Sequence, residues 1–137
     1  MRFSAFFMAL ALMVLFVPAG VVVADDEVSL SDTFYIPLKP AFVTNYGGPG
    51  RLKYLKADMT LMVQGESTQQ IVETQLPLVR NTIVLILSRQ NENNVVTSAG
   101  QERIRQQLLQ ALQEAFTREV GQPLIAEVLF TNFIYQN

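Results

Sequence analysis

Ala126-Glu127-Val128-Leu129-Phe130-Thr131-Asn132-Phe133-Ile134-Tyr135-Gln136 sets the architecture, because a strand here has to find its partners earlier in the chain. It is rich in β-branched and aromatic residues and holds neither Gly nor Pro, so it reads as a strand. Chain ends fray unless something fixes them, and an apolar stretch here is expected to be pinned into a sheet. Strict alternation puts Ala126, Val128, Phe130 and Ile134 on one side and Leu129, Phe133 and Tyr135 on the other. A strand apolar on both sides asks for cover on both faces, hence a central place in a sheet or an interface.

Such a strand needs partners. Thr33 to Tyr46 is extended in character but interrupted by Pro37 and Pro40, which fits an irregular or edge strand. Gly47-Gly48-Pro49-Gly50 is a turn. From Leu52 to Gln64 the chain alternates, with Leu55, Ala57, Met59, Leu61 and Val63 on one face and Lys56, Asp58, Thr60 and Gln64 on the other. The two segments predict an antiparallel hairpin.

Between the hairpin and the last strand lies helical sequence. After Gly65-Glu66, Ser67 is positioned to cap a helix whose apolar residues recur at three- and four-residue steps: Ile71, Val72, Leu76, Val79, Ile83, Ile86 and Leu87. Pro77 falls inside this pattern and predicts a kink or two abutting helices, about 68–75 and 77–88. Asn91 to Asn94 reads as a polar loop and Val95-Val96-Thr97 as a very short strand. Ser98 with Gln101 resembles a capping box. The helix it opens runs to about Arg118 and buries Ile104, Leu108, Ala111, Leu112, Ala115 and Phe116, leaving Arg105, Gln106, Gln110, Gln113 and Glu114 toward water. Glu114 and Arg118, four apart, are spaced for a surface ion pair, and Gly121 and Pro123 close the helix. The order predicts an α+β domain, a small antiparallel sheet with two or three helices packed on it.

At 137 residues, half of them apolar and 16% charged, the chain holds one domain and a short apolar extra. Phe3 to Ala24 is apolar apart from Ser4, follows Arg2, and is succeeded by Asp25-Asp26-Glu27. It reads either as a signal peptide, with Val22 and Ala24 at the −3 and −1 positions of a cut, or as an anchor long enough for the about 30 Å hydrocarbon core. Pro18-Ala19-Gly20 and the acidic trio favour cleavage. In both readings residues from 25 onward are exported, residues 25–32 form a flexible acidic lead-in, and 33–137 is the exported domain.

Chemistry is sparse. There is no cysteine and no histidine, which removes disulfides, thiol nucleophiles and the commonest general base and metal ligand. A net charge of −2 offers no field for nucleic acid. The Gly47–Gly50 loop lacks the following helix start that a phosphate cradle requires. No pair of carboxylates is placed for acid–base work, and Glu66 and Glu73 stand seven apart. We therefore expect no catalysis, cofactor or metal. Lys39, Arg51, Lys53 and Lys56 gather basic charge in the hairpin, either as a solvated strand edge or as a contact for lipid headgroups or an acidic partner. Met62, Leu78, Val84 and Leu85 lie off the main apolar stripes, and part of this surface marks a homo-oligomeric or partner interface unless it belongs to the core.

Taken together, the residues resemble the flagellar basal-body-associated FliL family. The likeness lies in Pro40-Ala41-Phe42-Val43-Thr44-Asn45, Arg51-Leu52-Lys53-Tyr54-Leu55, Leu76-Pro77-Leu78-Val79-Arg80-Asn81 followed by Leu87-Ser88, Gly100 with Ile104–Leu112, and the Val128–Gln136 ending, similar to the family's Val-Leu-Phe-Thr-x-Phe-x-x-Gln. The resemblance implies a stomatin/prohibitin-like periplasmic domain, on the periplasmic face of the inner membrane, that forms a homo-oligomeric ring around stator units of the motor. Such a domain supports motility without catalysis or cofactor. Under it, Phe130 and Phe133 are expected to pack, Arg80 to pair inside or between subunits, and Arg51 and Lys53 to meet a partner or lipid. Two departures stand out: family members usually begin with a cytoplasmic stub and firm anchor, and Asn81 occupies a position where an acidic residue is common. The alternative is a soluble periplasmic binding or chaperone-like module with no motor role.

Overall fold

The computed structural model describes residues 32–137. The readings of residues 1–24 and of the acidic lead-in up to Ser31 lie outside the described residues. The chain forms seven elements in order: β1 (Thr33–Tyr46), β2 (Lys53–Gln64), α1 (Glu66–Thr74), α2 (Leu76–Ser88), α3 (Glu92–Val96), α4 (Ser98–Val120) and β3 (Ile125–Gln136). The α+β reading holds, with one antiparallel sheet in the order β1-β2-β3.

The hairpin forms as its alternation predicts. Leu55, Ala57, Met59, Leu61 and Val63 are all buried, and Ile36, Leu38, Phe42 and Tyr46 of β1 line the same inner face. Gly47, Gly48 and Gly50 of the turn take positive φ, the region that side chains make costly. β1 lies at an edge, and its register against β2 shifts between Leu38 and Phe42, around the cis peptide before Pro40.

β3 departs from expectation in two ways. It lies at the other edge, and the central strand is β2. Its faces also differ from strict alternation. The register shifts at Thr131, between the pairs Asp58–Asn132 and Met59–Phe130, and again at Ala126, between Met62–Glu127 and Val63–Ile125. Each extra residue swaps the faces of the residues beyond it. Ile125, Val128, Phe130, Phe133 and Tyr135 therefore stand opposite inward residues of β2, while Leu129 and Ile134 go to the outer face. Much of the two-sidedness read from the sequence is one side interrupted by bulges.

The helices cover the inner face. α1 and α2 meet at a bend of 69°, with Pro77 in the first turn of α2, where its missing N–H costs nothing. Val72, Val79, Ile83 and Leu87 are buried. Gly65 precedes α1, with no side-chain cap, in place of the expected Ser67. Residues 92–96, expected as loop and strand, form α3, whose first turn is capped by Asn91 accepting from the Asn94 N–H at 2.9 Å. Thr97, one residue before the expected Ser98, caps α4 by accepting from the Gly100 N–H at 3.0 Å. Gly100 has no room for a side chain: a Cβ there would lie 2.4 Å from the Asn94 backbone. α4 buries Ile104, Leu108, Leu112, Ala115 and Phe116, then ends at Gly121 in the left-handed conformation.

Candidate interaction surface

Polar side chains tie the elements together where the apolar core stops. Gln90 is buried just beyond α2; its Nε2 donates to the Ile86 carbonyl and to Gln107 of α4, both at 2.9 Å, and its Oε1 accepts from Asn94 of α3 at 3.1 Å. Its carbonyl also accepts from the Gly47 N–H at 3.0 Å, so the hairpin turn is fastened to the helical layer. The sequence placed Gln90 in no role, because its three partners come from separate helices.

Arg105 and Gln113 correct the reading of α4 as solvated on that side. Arg105 ion-pairs with Glu102 at 2.5 Å and with Glu127 of β3, and Gln113 donates to the Ile125 carbonyl at 2.9 Å. Hydrogen bonding from Arg105 holds the Glu102 carboxyl below its ordinary value, and the same bond raises the guanidinium's own. The Glu102–Arg105 spacing was legible as a helical pair; the link to Glu127 needed the fold. Glu114 accepts from Gln110 at 3.1 Å, and no Glu114–Arg118 ion pair is present among the described residues.

The five residues singled out from the sequence fall in three places. Phe130 and Phe133, placed on opposite sides by alternation, share the inner face and meet edge-to-face, with centroids 5.2 Å apart. Both are partly buried against the core. Arg80 of α2 stacks on the Phe42 ring, 4.2 Å from its centroid, and its Nη1 is buried with no hydrogen-bond partner. Arg51 is exposed in the hairpin turn, and Lys53 is drawn into an ion pair with Glu92 of α3 at 2.5 Å. Lys39 is exposed at the β1 irregularity and Lys56 points outward from β2, so the basic residues do not converge on one spot.

The outer face of the sheet has no helix on it among the described residues. Val43, Lys56 and Ile134 form one row across the three strands, with Val43 65% and Ile134 53% exposed. A shallow depression of about 170 Å³ lies there, lined by Val43, Tyr54, Lys56, Ile134 and Tyr135 among others. Toward the other end Tyr35, 57% exposed, stands beside Met62. No group of three metal-ligating side chains and no single helix long and apolar enough to cross a membrane occurs among the described residues.

These features define a small α+β domain with a one-sided sheet and a partly apolar open face. The family model described as "Flagellar basal body-associated protein FliL" matches residues 35–136, which is nearly all of the described fold. The chain belongs to this FliL family, and with it to the proteins of the bacterial flagellum. It is similar to the flagellar protein FliL of Aquifex aeolicus, 28% identical over 99 residues, 72% of this chain and 59% of the relative. It is similar also to that of Escherichia coli K12, 30% identical over 119 residues, 82% of this chain and 73% of the relative. The chain thus spans about three fifths of the Aquifex protein's length.

Proposed function

We propose that this protein is a non-enzymatic structural component of the flagellar basal body that self-associates beside or around the motor's stator units and supports motility. The observation that carries this reading is the family match, which runs through every described element from β1 to β3. A flagellar role therefore attaches to the whole domain and to no isolated motif. The placing on the periplasmic side rests on the leading apolar segment followed by acidic residues. The sheet with helices on one face is compatible with the stomatin/prohibitin-like fold that the resemblance implies. Arg51, in the exposed turn, is the residue of this set best placed to reach a stator surface or a headgroup, and Phe130 and Phe133 serve by packing. Arg80 serves in a pairing role inside or between subunits.

The test is deletion of the gene with motility scored in liquid, in viscous medium and on surfaces, followed by complementation with the full chain. Reduced motility in at least one condition, restored by complementation, is expected. Unchanged motility in all three would sink the motor assignment.

A further inference from the structure

We propose that the outer face of the sheet, at its hairpin-turn end, is a glycan subsite that takes a carboxylate-bearing amino-sugar polymer with the chemistry of the bacterial cell wall. The inference goes beyond the motor reading and shares with it only the periplasmic placing.

β2 lies between its two neighbours, so outward residues of the three strands stand in rows across the sheet. One row is Asn45, Tyr54 and Gln136, and the next outward row is Val43, Lys56 and Ile134. All six are exposed, and all but Asn45 line the shallow depression of about 170 Å³. Among the described residues the side chains of Asn45, Tyr54, Lys56 and Gln136 make no hydrogen bond or ion pair. Two amides, a phenol and an ammonium therefore turn free donors and acceptors to solvent around one depression. Neighbours at the same end are engaged: Tyr46 donates to Asn137 and Lys53 pairs with Glu92. The unused polar groups belong to this patch.

A sugar ring presents a face of C–H groups and a rim of hydroxyls. Tyr54, Val43 and Ile134 supply apolar surface for the face. The amides of Asn45 and Gln136, on either side of Tyr54, both donate and accept, as hydroxyl and N-acetyl groups require. Lys56 is the cation for a carboxylate carried by the same unit. Asp58, the next outward residue of β2, repels an anion placed further along, which fixes the charged group at the turn end. The depression is smaller than the about 300–1,000 Å³ of pockets that enclose a drug-sized ligand. It seats one unit of a chain whose remainder stays in water. A protein anchor fits less well, because such anchors need a closed, desolvated pocket. Affinity per unit is low, and retention comes from the many equivalent units of a polymer.

The test is sedimentation of the full chain, kept in mild detergent, with insoluble purified cell-wall sacculi. Binding is expected to fall several-fold in Lys56→Glu and in Tyr54→Ala, to be largely kept in Tyr54→Phe, and to be unchanged in Tyr35→Ala, at the far end of the same face. Lys56 has no intramolecular partner to lose, so its charge reversal reads binding even where Tyr54→Ala disturbs the fold. Sacculi whose carboxylates have been converted to amides should bind several-fold less of the unaltered protein. Soluble glycan fragments should compete, and polyglutamate at the same carboxylate concentration should not. Absence of co-sedimentation, an equal loss in Tyr35→Ala, or indifference to carboxylate capping would overturn the proposal. So would equal competition by polyglutamate, which would assign the patch to an acidic protein. Sedimentation does not depend on motility, so a failure here leaves the motor assignment standing.

Discussion

Arg80 is the residue whose surroundings are hardest to account for by stability alone. A guanidinium stays charged under all ordinary conditions, and burying one of its nitrogens without a partner costs free energy. The stack on Phe42 offsets part of that cost by placing the cation over a ring face. A double-mutant cycle with Arg80→Met and Phe42→Leu is expected to give a coupling of about 0.5–2 kcal/mol in denaturant unfolding. Additivity within about 0.3 kcal/mol would mean that the stack contributes nothing and Arg80 is held by its aliphatic stem. The sequence marked Arg80 only through its place after Leu76-Pro77-Leu78-Val79. That Phe42, far away in the chain, would supply its platform depended on α2 lying over β1.

At the scale of elements, local signals were read well where the chemistry is local. Pro77 split the long helical pattern at the right place, because a proline's consequences are confined to the preceding turn. Gly121 and Pro123 ended α4 for the same reason. Cap assignments slipped by a residue where two hydroxyls compete, and Thr97 won over Ser98 because its backbone is extended while Ser98 is already helical. Thr97→Ala is expected to cost about 0.5–2 kcal/mol in thermal or urea unfolding, whereas Ser98→Ala should stay within about 0.5 kcal/mol. Equal effects would show that the cap bond does not carry the start of α4. In the 92–96 stretch the polar Glu92-Asn93-Asn94 favours loop and Val95-Val96 favours strand by propensity. Packing of Val95 into the core under α4, with Asn91 capping, made it helix instead.

For the molecule as a whole, the inner face of the sheet is closed by contacts between its two ends. Tyr46, at the end of β1, is buried and its hydroxyl donates to Asn137 at 3.0 Å and to the Gln136 carbonyl at 3.3 Å, so β1 helps to fix the last residues of β3 across the sheet. Burial pushes the Tyr46 phenol above its ordinary value, so the fold favours the protonated form. This contribution to stability is complete below the unfolded phenol's pKa of about 10 and is lost as pH rises through the folded value. Stability measured from pH 8 to pH 11 is expected to fall at the alkaline end, and less steeply in Tyr46→Phe. That variant should also exchange the backbone amides of the β3 end faster at neutral pH. Identical profiles for the two proteins would remove Tyr46 from this role.

The α+β class, the inward face of β2, the helix break at Pro77, the core stripe of α4 and the resemblance to the FliL family are all legible along the chain. Each of these comes from periodicity, from turn and breaker chemistry, or from residue order, all carried by neighbours in the chain. Only the tertiary structure decided that the closing strand is an edge, that bulges at Thr131 and Ala126 turn Phe130 and Phe133 to one face, and that Arg105 and Gln90 join separate elements. A bulge is a mismatch between two strands, and an ion pair across elements is a meeting of distant residues. Neither exists until β2 lies beside β3 and α4 packs against β3.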